Sequence, residues 1–317
     1  MYLFNSVLRF LPYSKSSSSS ALIALCCILV GLFAIGPAAA QEGEDDVISV
    51  DSDLVLVNAT VTDKQGAPQL GLSKNSFRVI ENGAEQKIDV FETEEAPFAA
   101  VILLDTSGSM ETRVSLARSA AMRFLYGIRA DDRVAIYNFD SKLTEVQEFS
   151  NLRDLVPGVY DLKASGMTIL YDAIYDASLK LGKRKEKRRA IVVLSDGADT
   201  KSGRSASKAL KAALDAGATI YTVDMSRLDT GGRERMQNRG VLKNFAEKTG
   251  GRFIETPGGA ELREAFTNIV KELGVQYTLG YYPANSKRDG KWREINVEVS
   301  GGGLSVRARK GYNAPKN

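Results

Sequence analysis

Residues 98–110, FAAVILLDTSGSM, join an uninterrupted apolar run to a polar loop. The run over 98–104 shows no alternation of polar and apolar residues, which is typical of a strand buried on both faces of a parallel sheet. The loop then carries Asp105, Ser107 and Ser109 at alternate positions. Carboxylate and hydroxyl oxygens are hard ligands that suit a divalent cation. The stretch therefore predicts a buried strand that ends in part of a metal site.

The region 97–273 alternates strand and helix patterns, and a second apolar run over 190–194 again lacks alternation. We predict strands over 99–104, 133–139, 143–149, 190–194, 218–223 and 252–255. We predict helices over 113–128, 169–181, 205–216, 240–248 and 260–273. This order indicates an α/β domain with a doubly wound, mostly parallel sheet and helices on both of its faces.

The segment before this domain, 46–96, has a β-rich pattern. Apolar residues alternate with other residues over 55–61, as in a half-buried strand. The short apolar stretches 77–80 and 88–91 lie on either side of the dipeptide 82–83, Asn-Gly, which favours a tight β-hairpin turn.

The segment after the domain, 274–314, repeats the β-rich pattern. Residues 275–282 are strand-like, and apolar residues alternate over 295–299 and 304–308. The two flanking segments together supply roughly ninety residues, close to the ~100 residues of a β-sandwich. We therefore predict one β-sandwich-like domain built from both termini, with the α/β domain inserted. The alternative is two separate hairpin units packed on the α/β domain.

The first forty residues have the pattern of an export signal. Arg9 and Lys15 precede an apolar run over 21–35, and residues 38–40, AAA, provide a small-residue cleavage site. The run is shorter than the roughly 20 apolar residues of a spanning helix. We expect the protein to be exported to the periplasm, the cell surface or the extracellular space. An uncleaved N-terminal anchor is the alternative.

Composition argues against several classes of function. Loss of residues 1–40 would remove two basic residues and no acidic one, leaving a net charge of about +1, which argues against bulk binding of nucleic acid. Both cysteines, Cys26 and Cys27, lie in the signal, so we expect no disulfide. The chain has no histidine, which excludes Ser-His and Cys-His catalysis and imidazole metal ligands. Any bound metal must be held by oxygen.

Two other loops could complete the metal site. Residues 166–168, GMT, precede a predicted helix, and residues 195–197, SDG, follow the run 190–194. In a doubly wound sheet the first and fourth strands flank the point where strand order reverses, and ligands bind beyond their carboxyl ends. Asp105 follows the first predicted strand and Asp196 the fourth. We therefore expect these loops to meet.

The pattern resembles the metal-ion-dependent adhesion site of the von Willebrand factor type A domain family, over about 97–273. That site consists of D-x-S-x-S, a separate Thr and a separate Asp. The matching residues are Asp105, Ser107, Ser109, Thr168 and Asp196. The flanking stretches GLSKNSFRVIENG, QYTLGYYP and VRARKGY are similar to those of an exported bacterial subgroup of the family.

The resemblance implies a metal-dependent binding protein. In the family the hydroxyls ligate the cation directly, the aspartates often act through water, and an Asp or Glu of a protein partner completes the coordination. Mg²⁺ suits such a site because it takes about six oxygens near 2.1 Å and keeps several waters. Mn²⁺ could replace Mg²⁺, and Ca²⁺ ranks lower. We expect adhesion or ligand binding without catalysis, no nucleic-acid partner, and peripheral membrane contact or none. The oligomeric state is left open.

Two other classes of function compete with adhesion. The first is a scaffold or assembly module of the cell envelope with a structural or vestigial metal site, because Ser, Thr and Asp also cap helices and turns. The second is a hydrolase, through a metal-bound water or a serine paired with Lys201. The hydrolase is disfavoured, because a single Mg²⁺ without histidine, a second metal or an evident general base is poorly equipped for hydrolysis.

Three further features each have two interpretations. The run 183–189, KRKEKRR, is either a solvated turn at a helix end or a contact for polyanions or lipid headgroups. Asp199 and Thr200 are either supports of the metal site or ordinary loop residues, and the ordinary interpretation is favoured. Asp172 is expected to face solvent or to cap its own helix.

Overall fold

The computed structural model describes residues 54–93, 96–154, 157, 160, 162–164, 166–226, 232–255 and 259–316. The predicted export signal over 1–40 lies outside the described residues. In the part of the chain that is described, no helix is both long enough and apolar enough to cross a membrane.

The described elements alternate as the pattern predicts. The strands are β1 (Val55–Thr62), β2 (Phe77–Glu81), β3 (Ala84–Gln86), β4 (Val90–Glu92), β5 (Phe98–Asp105), β6 (Arg133–Phe139), β7 (Leu143–Ser150), β8 (Arg188–Ser195), β9 (Ala218–Asp224), β10 (Phe253–Glu255), β11 (Tyr277–Tyr281), β12 (Trp292–Val299), β13 (Ser305–Ala308) and β14 (Gly311–Asn313). The helices are α1 (Val114–Gly127), α2 (Leu170–Gly182), α3 (Ala206–Asp215), α4 (Arg233–Thr249) and α5 (Gly259–Gly274). Short 3-10 turns occupy Lys74–Ser76 and Gly108–Met110.

Strands β5 to β10 form a six-stranded sheet in the order β10-β9-β8-β5-β6-β7. All neighbours are parallel except β7, which runs antiparallel to β6 at the edge. Every residue of β5 is buried, since this strand lies between β8 and β6 with helices on both faces. The sheet confirms the predicted doubly wound, mostly parallel α/β fold.

The helices form two layers because alternate residues of β5 point to opposite faces of the sheet. Ile102 and its even-numbered neighbours pack with α1 and α5, while Val101 and its odd-numbered neighbours pack with α2, α3 and α4. Phe124 of α1 contacts both Phe98 and Phe266 edge-on, with ring centroids 6.1 and 6.3 Å apart. Full burial of one such side chain contributes about 1.5–3 kcal/mol, so these contacts help to fix the layer of α1 and α5 to the sheet.

Helix α4 is nearly twice as long as its predicted core over 240–248. Its first two turns, RERMQN, contain a single apolar residue, Met236, and that side chain is exposed. An apolar stripe therefore marks only the second half of the helix, where Leu242 and Phe245 are buried. The helix ends at Gly250, which adopts the left-handed conformation with φ of 82°.

The two ends of the chain form two four-stranded sheets, in the orders β13-β1-β11-β4 and β14-β12-β2-β3. Each sheet contains strands from both ends, since β1 pairs with β11 and β13, and β2 pairs with β12. The sheets bury one common apolar cluster that includes Val57, Phe77, Leu279 and Val297. We call these two sheets the sandwich.

The predicted hairpin forms around its turn, but with a different second strand. Asn82 and Gly83 both have positive φ, 47° and 83°, as a two-residue turn of this kind requires. The strand after the turn is β3, not the stretch 88–91. Strand β4 pairs with β11 in the other sheet, because the chain crosses between the sheets with Ile88 buried in their common core. Strand β14 is a further three-residue strand that was not predicted.

The junction between the α/β domain and the sandwich contains a buried carboxylate, Glu272 near the end of α5, which is 3% exposed. It accepts hydrogen bonds from the Tyr221 hydroxyl of β9 at 2.8 Å and the Thr60 hydroxyl of β1 at 3.3 Å. The guanidinium of Arg307, on β13, lies 2.7 Å from the same oxygen. One carboxylate of α5 therefore links the α/β domain to the sandwich.

We expect Glu272→Ala to lower the free energy of unfolding by about 3–5 kcal/mol, because it leaves a largely buried arginine without its counter-ion. Urea unfolding followed by circular dichroism measures the change. Glu264→Ala is the control, since this residue of the same helix is exposed and its loss should cost within about 0.5 kcal/mol. Equal stabilities of the two variants would contradict the role given to Glu272.

Candidate metal centre

Asp105 is the last residue of β5, and its side chain has no exposure to solvent. Its Oδ1 accepts a hydrogen bond from the Ser107 backbone N–H at 2.9 Å. Its Oδ2 accepts a hydrogen bond from the Ser195 hydroxyl, at the end of β8, at 2.6 Å. Both carboxylate oxygens are thus held in place by hydrogen bonds from the chain itself.

Ser107 and Ser109 lie on the turn that follows Asp105, and their hydroxyl oxygens are 3.1 Å apart. Two adjacent ligands of an octahedral ion with bonds near 2.1 Å are separated by about 3.0 Å. The spacing of the two hydroxyls therefore fits neighbouring positions around Mg²⁺. Ser107 is buried and Ser109 is exposed, so the pair extends from the end of β5 toward solvent.

The loop that carries Thr168 is fixed to both neighbouring loops. The Thr168 N–H donates to the Thr200 hydroxyl at 2.9 Å, and the Thr168 carbonyl accepts from the N–H groups of Thr200 and Lys201, both at 3.0 Å. On the other side, the Gly108 N–H donates to the Gly166 carbonyl at 3.4 Å. These bonds place Thr168, which is 3% exposed, between the turn after β5 and the loop after β8.

Asp196 begins the loop after β8, where its Oδ1 accepts the Ala198 N–H at 3.1 Å. The next residue must be glycine. Gly197 has φ of 83°, and a Cβ there would lie 2.7 Å from the Asn238 carbonyl oxygen. Burial raises the pKa of the Asp105 carboxyl to about 6, and the nearby negative charge of Asp196 adds to the shift. The two carboxylates therefore interact electrostatically, as expected for neighbours at one edge of the sheet.

The structure thus brings the three predicted loops together beyond the carboxyl ends of β5 and β8, which are hydrogen-bonded neighbours. Within the described ranges, neither Asp105 nor Asp196 forms an ion pair with lysine or arginine. No cluster of three or more His, Cys, Asp and Glu side chains occurs in the described chain. The candidate site differs from such a cluster because it has two carboxylates and three hydroxyls. Two carboxylates balance the charge of one divalent cation, and metal binding by these residues stays a prediction.

Residues beyond the five candidates hold the third loop against α2. Asp199 Oδ2 accepts hydrogen bonds from the Tyr171 N–H at 2.9 Å and the Ser202 hydroxyl at 2.6 Å. Asp172 accepts from the N–H groups of Gly203 at 2.8 Å and Arg204 at 3.1 Å, and from the Arg204 guanidinium at 3.0 Å.

These contacts give several residues a supporting role that the sequence pattern does not establish. Asp172 binds a loop some thirty residues away and does not cap its own helix. Asp199 and Thr200 support the loops around Thr168, in contrast to the favoured interpretation as ordinary loop residues. Ser195 is not among the five predicted ligands, yet its hydroxyl donates a hydrogen bond to Asp105. No spacing rule distinguishes these polar residues from their neighbours, because their partners lie on other segments.

Residues 100–198 match the family model of the von Willebrand factor type A domain. This segment is about a third of the chain and contains all five candidate ligands. No curated protein matches the chain.

Several solved structures are similar to this chain. The PilB minor pilin from Streptococcus sanguinis is 13% identical over 57% of this chain and 62% of its own length, with a TM-score of 0.45. The conserved hypothetical protein BatB from Bacteroides thetaiotaomicron is 17% identical over 56% of this chain and 98% of its own length, with a TM-score of 0.46. A von Willebrand factor type A protein from Catenulispora acidiphila is 12% identical over 84% and 74%, with a TM-score of 0.47.

We expect Ser195→Ala to lower the free energy of unfolding by about 1–3 kcal/mol, because it removes a hydrogen bond to a buried carboxyl. Urea unfolding in the presence of EDTA measures this effect without any contribution from metal. Ser119→Ala on the exposed face of α1 is the control and should change stability by less than about 0.5 kcal/mol. An unchanged stability of Ser195→Ala would show that Asp105 does not depend on this bond.

Proposed function

The chain contains a von Willebrand factor type A domain, and from this premise we propose that it is an exported adhesion or ligand-binding protein. Asp105, Ser107, Ser109, Thr168 and Asp196 would hold Mg²⁺, with Mn²⁺ as a substitute and Ca²⁺ as a weaker candidate. A carboxylate of a protein partner would complete the coordination. The match of residues 100–198 supports an adhesion or protein-interaction module, and the metal dependence and the acidic ligand are the proposed refinements.

The arrangement around Asp105 carries this proposal. A buried carboxylate lies beside a second carboxylate, and the chain supplies neither with a lysine or arginine in the described residues. Two hydroxyl oxygens lie 3.1 Å apart on the same loop, at the spacing of adjacent octahedral ligands. A divalent cation at this edge would offset the negative charge and still attract an external carboxylate, because the protein residues leave coordination positions for water or a partner.

Each protein residue has a definable part in such a site. Ser195 and the Ser107 N–H orient the Asp105 carboxylate, and Thr200 orients the backbone of Thr168. Met167, beside Thr168, is 50% exposed and offers an apolar contact at the rim. A partner would therefore present a carboxylate next to an apolar surface.

We propose that the protein does not catalyse a reaction. The chain has no histidine to serve as a general base, and single-Mg²⁺ hydrolysis without such a base is unfavourable. Export is proposed from the charged, apolar and small-residue pattern over 1–40. Metal-dependent hydrolysis of a generic ester such as p-nitrophenyl acetate would instead identify a hydrolase.

We expect Mg²⁺ or Mn²⁺ to raise the melting temperature of protein previously dialysed against EDTA. At a concentration 100 times the Kd, a ligand stabilises the fold by about 2.7 kcal/mol, which corresponds to roughly 4–5 °C for a chain of this size. Differential scanning fluorimetry measures the shift.

Ser109→Ala is the matched variant for this metal titration. Because its side chain is exposed, it should keep the wild-type melting temperature in EDTA and lose most of the shift with metal. Ser119→Ala changes a serine that is not part of the candidate site, and its melting temperature should respond to metal as that of the wild type does. An equal metal effect on all three proteins would place the cation elsewhere, and no effect on any would favour a scaffold with an inactive site.

We also expect capture of a partner protein to depend on the cation. Cross-linked pull-down from a cell-envelope extract should retain a partner with Mg²⁺, lose it with EDTA and regain it when Mg²⁺ is restored. Ser109→Ala should retain at least tenfold less of the same partner. Retention that is equal in EDTA and with Ser109→Ala would show that the partner does not bind through the metal.

A further inference from the structure

A cleft of about 600 Å³ lies where the α/β domain meets the sandwich. Its walls come from the start of β1, the segments before β8 and β9, the end of α3, and the C-terminal strand β14 with the residues after it. Five cationic side chains line it, namely Lys187, Arg189, Lys211, Arg309 and Lys316. Asp215 is the one carboxylate among the described lining residues. The cleft therefore has a strong excess of positive charge.

Three of the five cations have no carboxylate partner in the described chain. Arg189 donates to the carbonyl oxygens of Glu186, Ala216 and Arg184, all of which are uncharged acceptors. Arg309 donates to the Leu214 carbonyl at 3.3 Å, and its buried Nε has no hydrogen-bond partner.

The third unpaired cation is Lys316, and the other two cations of the cleft each have a carboxylate partner. Lys316 is exposed and forms no ion pair with a described residue. Lys187 pairs with Glu92, and Lys211 pairs with Asp215 on the same helix. The cleft therefore presents more cationic groups than the chain itself neutralises.

The residues of the basic run 183–189 lie in different environments, so only some of them can contact an anion. Arg188 is fully buried and donates to the Gly274 carbonyl at 3.0 Å, so its role is structural. Arg184 is paired with Glu186 at 2.7 Å. Only Lys187 and Arg189 of the run reach the cleft. The run is therefore not a continuous polyanion contact, and the charge of the cleft is assembled from separate segments.

The rest of the lining favours a peptide. Leu56, Leu214 and Tyr312 contribute apolar surface between the cations. The ladder between β1 and β13 covers only Ala59 to Thr62, so residues 55–58 have no strand partner on that side within the described chain. Backbone groups of this kind bind extended peptides by adding a strand. A flat bilayer surface cannot enter a concave cleft.

We propose that this cleft binds an extended, acidic peptide segment of a partner protein, with apolar side chains alternating with its carboxylates. This contact is separate from the metal centre. Lys187 and Arg189 lie at the start of β8, whereas Asp196 follows its end, and an eight-residue strand is about 23 Å long from end to end. The cleft and the metal centre therefore lie at opposite edges of the central sheet.

The test uses the full chain in EDTA, so that the metal centre cannot contribute. The probe is a fluorescein-labelled dodecapeptide of alternating Glu and Leu, and fluorescence anisotropy measures its binding. We expect saturable binding that weakens as salt is raised. The double variant Lys211→Glu/Lys316→Glu should bind at least tenfold more weakly, because both side chains line the cleft and are exposed.

The matched control is Lys87→Glu/Lys243→Glu, which makes the same change in net charge outside the cleft. Lys243 forms an i,i+4 pair with Glu247, just as Lys211 does with Asp215, so the local helix effects are similar. Thermal melts of both variants confirm that they fold. The control should change binding less than twofold.

Four results would overturn the proposal. Two concern affinity: no binding of the probe to wild type, or equal losses of affinity in the two double variants. The third is equal binding of a control peptide in which Lys replaces every Glu. The fourth is full competition by millimolar inorganic phosphate, which would identify a small-anion site. Binding to anionic phosphatidylglycerol vesicles but not to the peptide would identify a lipid contact instead. Because every measurement of peptide binding is made in EDTA, the result of this test does not depend on the result of the metal titration.

Discussion

The buried carboxylate of Asp105 is the constraint on which the candidate metal centre depends. A charged group without solvent contact is costly unless it is paired and hydrogen-bonded, and here hydrogen bonds alone are supplied, from Ser195 and the Ser107 N–H. A second carboxylate close by raises the cost further. Glu272 shows the alternative at the junction with the sandwich, since that buried carboxylate has an arginine of the chain as its partner. The buried carboxylate of Glu272 thus has a cationic partner within the chain, whereas Asp105 has none among the described residues, and this difference supports the proposed cation site.

The topology of the sheet explains how the three loops reach one point. Strands β5 and β8 are adjacent and parallel, so the residues after them leave the same edge side by side. The backbone bonds from Thr168 to Thr200 and Lys201 then fix the loop before α2 against the loop after β8. Candidate ligands separated by up to ninety-one positions in sequence thus come from neighbouring loops because of strand order and not because of any local motif.

The sequence predicted elements best where burial is uniform. The apolar runs at β5 and β8 and the apolar stripes of the helices identify the α/β domain, because a buried element cannot tolerate polar residues on its covered faces. The predicted elements were wrong or incomplete where contacts between distant segments determine the local structure. The first half of α4 has no apolar stripe, and the second strand of the hairpin depends on Ile88 entering the core between the sheets. The supporting bonds of Asp172 and Asp199 join segments about thirty residues apart, which no periodicity can reveal.

The sandwich holds the α/β domain at the edge of the central sheet that lies opposite the candidate metal centre. Its polar contacts reach residues that precede the parallel strands: Asn58 donates to the Lys187 carbonyl before β8, Arg309 to the Leu214 carbonyl before β9, and Arg307 to the Gly251 carbonyl before β10. All three points lie at the edge opposite Asp105 and Asp196. Strand β4, which leads into the α/β domain, pairs with β11, which follows that domain, so the two ends of the inserted domain lie next to each other. Among the described residues, an insertion anchored in this way keeps the candidate metal loops at the edge opposite the sandwich, where the Ser109 side chain is exposed.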